Sequence, residues 1–404
     1  MERRFGGIEN RNDEWGSKKK GSPELNAAWS QFRGPSRDGR VAWLPERLPA
    51  SATFEWKAYL PSTGVGGLVA NQSLVVVGSR DPTDKMDLFQ GFQASDGSLA
   101  WQHRVVAEGT LDYGNSPRAT PLILGPLIYV QGAFGDLACL DIEAGIPLWQ
   151  KNLNRDFGGA VPQWGFSGSP LGHGENVIVQ PGGASGVIEL DGITGEPVWK
   201  IPGRKVAYSS PAFLDERRIV GGDSEYGLVW DTVAKEETAK IPLGSNSFGV
   251  PSPTVSNSSI YMVDEGLGVR RLSAASTGNA AEITRENRRY RPDTHTPVLV
   301  DAGLLLLHNG LTLLDSETLE PRWEIRDRSF VGYGSIMATN DRALIFNDAA
   351  ELLLVDFEAD KAAVVSRLQL SEEKIKTLSH PALVGSRLYL QLGQTLVCLE
   401  LQDL

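Results

Sequence analysis

The apolar residues of this chain fall in short runs of strand length, broken by turn residues, and the runs repeat. A strong copy reads Leu137-Ala-Cys-Leu-Asp141, a few turn residues with Gly145, then Leu148-Trp149-Gln-Lys. A second reads Val187-Ile-Glu-Leu-Asp191, Gly195 and Val198-Trp199-Lys200; a third reads Leu311-Thr-Leu-Leu-Asp315 and Arg322-Trp323. In each, the Asp precedes the Trp by eight positions. Weaker copies keep the register at Gln93 with Trp101, Asp231, Ser273, Asp356 and Glu400. Anchors at 93, 141, 191, 231, 273, 315, 356 and 400 are spaced 40 to 50 residues apart, the length of a four-stranded propeller blade.

Upstream of most anchors a strand starts just after a proline: Thr120-Pro121, Ser169-Pro170, Ser210-Pro211, Ser252-Pro253, Thr296-Pro297 and His380-Pro381. Proline suits the first residue of a strand, where its missing N–H lies outside the ladder. A β-branched or aliphatic second strand follows, as in Leu127-Ile-Tyr-Val130 and Arg387-Leu-Tyr-Leu390. The order within a unit is Pro-led strand, second strand, Leu-rich third strand, turn and Trp strand. The last unit stops after three strands, while the regular part begins with an orphan Trp strand, Ala52-Thr-Phe-Glu-Trp56-Lys-Ala-Tyr-Leu60. Pairing the two closes the ring and removes an exposed sheet edge. The prediction is an all-β, eight-bladed β-propeller over residues 29–404, behind a polar, disordered leader at 1–28. Seven blades is the alternative if the degenerate unit at 244–290 is not a blade.

Composition narrows the function. Forty-four Gly and 23 Pro fit many tight turns and few long helices. A net charge of −11 speaks against a nucleic-acid partner, which needs clustered Lys and Arg; the one basic cluster, Lys18-Lys19-Lys20, reads as a solvated tail. No apolar run reaches the roughly 18 residues of a spanning helix, so no transmembrane segment is expected. Residues 1–28 hold no apolar stretch that could serve as a signal core, and the residues alone point to the cytoplasm. Cys139 and Cys398 share a register position in non-adjacent units and read as small buried residues.

The segment Trp29-Ser-Gln-Phe-Arg-Gly-Pro-Ser-Arg-Asp-Gly39, with Leu48-Pro49 and Trp56-Lys57, resembles the opening of planctomycete-type bacterial proteins with pyrroloquinoline-quinone-like (PQQ-like) propeller repeats. The repeat Leu-x-x-Leu-Asp-x-x-x-Gly-x-x-x-Trp matches the same superfamily, which includes quinoprotein dehydrogenases and an outer-membrane assembly lipoprotein. The resemblance covers about residues 29–402 and implies a propeller fold, an interaction surface and a place in the periplasm or cell envelope. It carries over no cofactor site. The vicinal cysteine pair of the quinoprotein alcohol dehydrogenases is missing, and no calcium ligands or catalytic Asp fall on matching positions. PQQ and calcium are expected only if the chain is a quinoprotein-type oxidoreductase.

The repeat tryptophans Trp56, Trp101, Trp149, Trp199 and Trp323 read as packing between blades. Asp141, Asp191, Asp315 and Asp356 read as caps of the turns that follow them. Gly165-Phe-Ser167-Gly-Ser169 and Gly64-Val-Gly-Gly67 lack the context of a nucleophile elbow or a phosphate loop and read as loop turns. The five His show no metal-ligand spacing. Around the starts of the Pro-led strands, however, lie Tyr113, Arg118, Trp164, Phe166, Tyr208, Phe248, Arg291, His295, Tyr333 and His380. Inner strands line a propeller's channel, so these ten are the candidate recognition surface at its mouth. The reading is a non-enzymatic binding or scaffolding module for a protein, peptide or glycan. Its rivals are the PQQ- and calcium-dependent oxidoreductase and an envelope assembly factor that recognises β-strands.

Overall fold

A computed structural model describes residues 27–402, except 246, 257–258 and 274–280. The expected leader therefore lies outside the described residues except for its last two. The described strands form eight antiparallel sheets, seven of four strands and one of five. Blades 1 to 7 run in chain order over residues 69–106, 122–152, 171–201, 212–242, 254–287, 298–325 and 334–369. Blade 8 takes Ala382–Val384, Arg387–Leu392 and Thr395–Glu400 and is completed on its outer side by Phe54–Tyr59. The ring closes as its ends required. The unit at 244–290 is a full blade of four strands, which settles the count at eight.

Six inner strands begin on the residue after a proline, at Leu122, Leu171, Ala212, Thr254, Val298 and Ala382. The Ser or Thr before that proline does a second job. Thr120 N–H donates to Ser169 Oγ at 3.0 Å, Ser169 to Ser210 at 3.0 Å, Ser210 to Ser252 at 2.8 Å and Ser252 to Thr296 Oγ1 at 2.9 Å. Each hydroxyl satisfies a backbone donor of the preceding blade. The resulting ladder runs around the channel from blade 2 to blade 6 and fixes the spacing of the inner strands.

Neighbouring blades are joined near their rims by the repeat tryptophans. The indole N–H of Trp56 donates to Ala94 O at 3.0 Å, Trp101 to Ile142 O at 2.8 Å, Trp149 to Gly192 O at 2.9 Å and Trp323 to Glu358 O at 3.0 Å. Each acceptor lies in the following blade's turn. Trp199 instead packs among Ile219, Leu228 and Trp230 of blade 4. Asp141, Asp191 and Asp315 cap their turns by accepting from the N–H groups two and three residues on. Asp356 does not: its carboxylate takes the Arg342 guanidinium at 3.0 Å, across the strand pair. Cys139 and Cys398 are buried free thiols, and burial pushes both up to about 12.

The fifth strand of blade 1 is Ala28–Trp29, which pairs with Val69–Asn71 on its channel side. From there residues 30–41 fill one end of the channel as a folded loop. Ser30 O accepts from Ile123 N–H of blade 2 at 2.7 Å, and Gly39 and Val41 exchange bonds with Ala338 of blade 7. Arg33 and Arg37 are buried within the ring. Arg33 donates to Pro297 O of blade 6, and Arg37 to Ser169 O at 3.1 Å and Pro170 O at 2.7 Å of blade 3. Phe32 lies against His380 of blade 8, 5.6 Å between ring centroids. One segment thus ties six blades together. Its tight course uses positive φ at Arg33, Gly34, Arg37 and Gly39. At Gly34 a Cβ would stand 2.9 Å from the Trp29 ring, so the Gly of the opening motif is required by contact as well as by φ.

Candidate functional site: the open end of the channel

The loops leading into the inner strands all emerge on the face opposite the plug's point of insertion. There they surround a cavity of about 380 Å³. Eight of the ten expected residues line it: Tyr113, Arg118, Trp164, Tyr208, Phe248, His295, Tyr333 and His380. Each comes from a loop that leads into an inner strand.

Two expected residues are elsewhere. Phe166 is almost fully buried and packs with Leu153, Val179 and Val206 between blades 2 and 3. It follows Gly165, whose positive φ turns the chain inward at that point. Arg291 is exposed, and its Nε donates back to Arg288 O at 2.7 Å, off the cavity lining.

One side of the mouth is aromatic. Trp164 is at the centre, 4.9 Å from the Tyr208 ring, 4.6 Å from Phe248 and 6.3 Å edge-on from Tyr113. Tyr113 is 61% exposed and Phe248 46%, a large apolar area to leave in water unless it meets something. Tyr113 sits at positive φ at the tip of its loop. Arg118 holds that tip by donating to Asp112 O and Gly114 O. Burial raises the Tyr333 hydroxyl, with Tyr113 and Asp293 adding to the effect from across the cavity.

The other side is acidic. Glu265, Asp293 and Asp348 line the cavity with Asn347 and Ser335. Burial raises the Glu265 carboxyl above its ordinary range, and neighbouring Asp293 and Asp264 raise it further. Sequence reading missed these acids. Glu265 and Asp348 lie between the second and third strands of their blades, and strand counting places those turns on the same face as the lead-in loops.

The floor is formed by the plug and two histidines. Phe32 and His380 close the channel beneath a sleeve of Ser and Thr side chains. Arg33, His295 and His380 meet at a smaller void below. His295 is fixed, with Nδ1 2.9 Å from Gly334 O and Nε2 2.8 Å from Gly332 O. A neutral ring can donate to only one of these carbonyls. Burial nonetheless holds its pKa below the ordinary value against their pull. His380 makes no hydrogen bond through its ring among the described residues. Burial, with repulsion from Arg33 and His295, pushes it down to about 4. It is a neutral, unpartnered imidazole at neutral pH.

Comparison with known proteins agrees with this architecture. Residues 49–161 match the family described as outer membrane protein assembly factor BamB. BamB from Moraxella catarrhalis superposes with a TM-score of 0.60 at 16% identity, covering 86% of this chain and 98% of its own. The chain is an eight-bladed β-propeller with the fold of these proteins. A europium-containing methanol dehydrogenase superposes on the propeller with a TM-score of 0.66 at 11% identity, over 91% of this chain and 90% of that one. The C-terminal WD40 domain of Sif2 gives 0.55 at 11%, over 89% and 98%. No curated protein matches the sequence. At these identities the superpositions establish the fold.

A quinone's calcium would need several oxygen donors held together. Among the described residues no three His, Cys, Asp or Glu side chains come together as metal ligands. The two cysteines lie in different blades, both buried away from the mouth. Beneath the cavity, Phe32 and Arg33 occupy the channel. No helix of the described residues is long and apolar enough to cross a membrane.

Proposed function

We propose that this propeller is a non-catalytic binding module whose working surface is the open end of its channel, in the cell envelope. The observation that carries the reading is the exposed aromatic group around Trp164, set over a cavity whose other end the chain itself closes. A blind, aromatic-rimmed cavity suits recognition of a projecting group on a protein, peptide or glycan. The match of residues 49–161 to an outer-membrane assembly factor favours a protein partner and the envelope.

The test compares two surface substitutions. Phe248→Ser removes a half-exposed ring at the mouth, and Ile193→Ser removes an exposed side chain on the opposite face. Both should melt within a few degrees of wild type. The account expects Phe248→Ser to lose the partner that wild-type protein captures from its own cells, with Ile193→Ser retaining it. The same partner bound equally by both variants would rule out the mouth.

A further inference from the structure

The cavity walls narrow the chemistry of the ligand. Glu265, Asp293 and Asp348 share one side of the cavity. None of them is ion-paired to a Lys or Arg among the described residues. The one arginine in the lining, Arg118, is turned to the carbonyls of its own loop and makes no ion pair with these acids. Carboxylates crowded together in a partly dry site raise each other's cost of ionisation, and a cation placed between them relieves it.

The facing wall offers the second half of a cation site. Trp164, Tyr208 and Phe248 expose aromatic rings, whose negative faces attract ammonium and guanidinium groups. The rim already shows this preference once: the Lys376 ammonium stands 5.5 Å from the centroid of Tyr333. Below, His380 contributes an unpartnered neutral imidazole that can accept a hydrogen bond. An ammonium has three donors and a guanidinium five, neither an acceptor, which suits a lining of carboxylates, hydroxyls and an imidazole. A net charge of −11 favours the approach of such a group. An anion would be repelled by the three carboxylates.

We infer that the cavity takes an organic cation on an aliphatic stem, as in a lysine or arginine side chain, with the charge between Glu265 and Asp293 and the stem against Trp164. This rests on the mouth being the working surface.

Calorimetric titration of the full chain at 150 mM NaCl tests it with four probes: a blocked lysine hexapeptide, spermidine, cellotetraose and calcium chloride. Saturable binding of the hexapeptide is expected, weakened roughly tenfold or more by Glu265→Gln with Asp293→Asn. Trp164→Leu should weaken it as well. The exposed turn variant Glu143→Gln should leave it unchanged. Spermidine binding with equal dependence on Glu265 and Asp293 supports the same site with a free amine as its source; binding of the peptide alone assigns a protein-borne side chain. The inference is overturned by cation binding that the double variant leaves intact, by calcium alone saturating the site, or by no response to either cation. Cellotetraose binding that needs Trp164 but not the acids would overturn the cation while leaving the mouth as the working surface. The Phe248→Ser capture experiment decides that second question independently.

Discussion

The Arg37 guanidinium donates to the Pro170 carbonyl across 2.7 Å, joining residues 133 positions apart. Arg37 also binds Ser169 O at 3.1 Å and Gln31 Oε1 at 3.1 Å. No carboxylate balances its charge, so burial, and then repulsion from Arg33, pushes it down to about 9. The contact is therefore geometric support: one planar group satisfies inner-strand carbonyls of blade 3 that would otherwise lack donors in the filled channel.

Two substitutions separate the shape of that group from its hydrogen bonds. Arg37→Ala leaves a cavity and unsatisfied carbonyls and should cost about 3 kcal/mol. Arg37→Met refills most of the volume without a buried charge and should cost roughly half as much. Urea midpoints at constant slope measure both. Equal stability of Arg37→Ala and wild type would mean that the plug does not hold the ring.

Two glycines of blade 3 separate backbone strain from contact. Both have positive φ, +59° at Gly174 and +70° at Gly195. A Cβ at Gly174 meets nothing within 4 Å, whereas at Gly195 it stands 2.7 Å from the Trp149 ring. Gly174→Ala should cost about 1 kcal/mol from backbone strain alone. Gly195→Ala should cost roughly 2–4 kcal/mol, because Trp149 must leave its seat on the next blade. Thermal melts of the two variants give the comparison directly, and equal costs would show that the tryptophan does not depend on that turn.

His380 gives the stability a pH dependence. Its folded pKa, about 4, lies below the ordinary histidine value of 6.5 that it regains on unfolding. Between those values the unfolded chain binds more protons, so stability falls as the pH drops from about 6.5 through about 4. The loss from this residue is ~2–3 kcal/mol by pH 4. His380→Asn should lose less stability over that interval than wild type, although other groups titrate in both. Parallel curves would mean that the imidazole is not held neutral in the channel.

The sequence made much of the scaffold readable because propeller repeats place residues by register. The Pro-led strands, the Trp–turn contacts and the closing strand all follow from positions within a unit. The fifth blade was ambiguous because it has no Trp on its outer strand, Glu282–Asn287, and no Asp at its anchor, Ser273. The mouth was readable for the same reason as the scaffold, since seven of its eight expected residues lie on loops that end in a Ser, Thr or His before Pro. Phe166 was misplaced because a periodic pattern locates a loop but not which way a side chain turns after a glycine. The plug was hidden for a different reason: residues 29–41 belong to no repeat. Only the folded ring shows that Arg33 and Arg37 reach carbonyls 264 and 133 positions away.

A photo-reactive benzoylphenylalanine tests the central claim most directly. It would be placed at position 248 or at 193, both exposed but on opposite faces of the ring. After irradiation of living cells, the account predicts a discrete covalent adduct from position 248 and none from 193. An adduct formed at 193, with none at 248, would contradict the assignment of the open channel mouth as the binding surface.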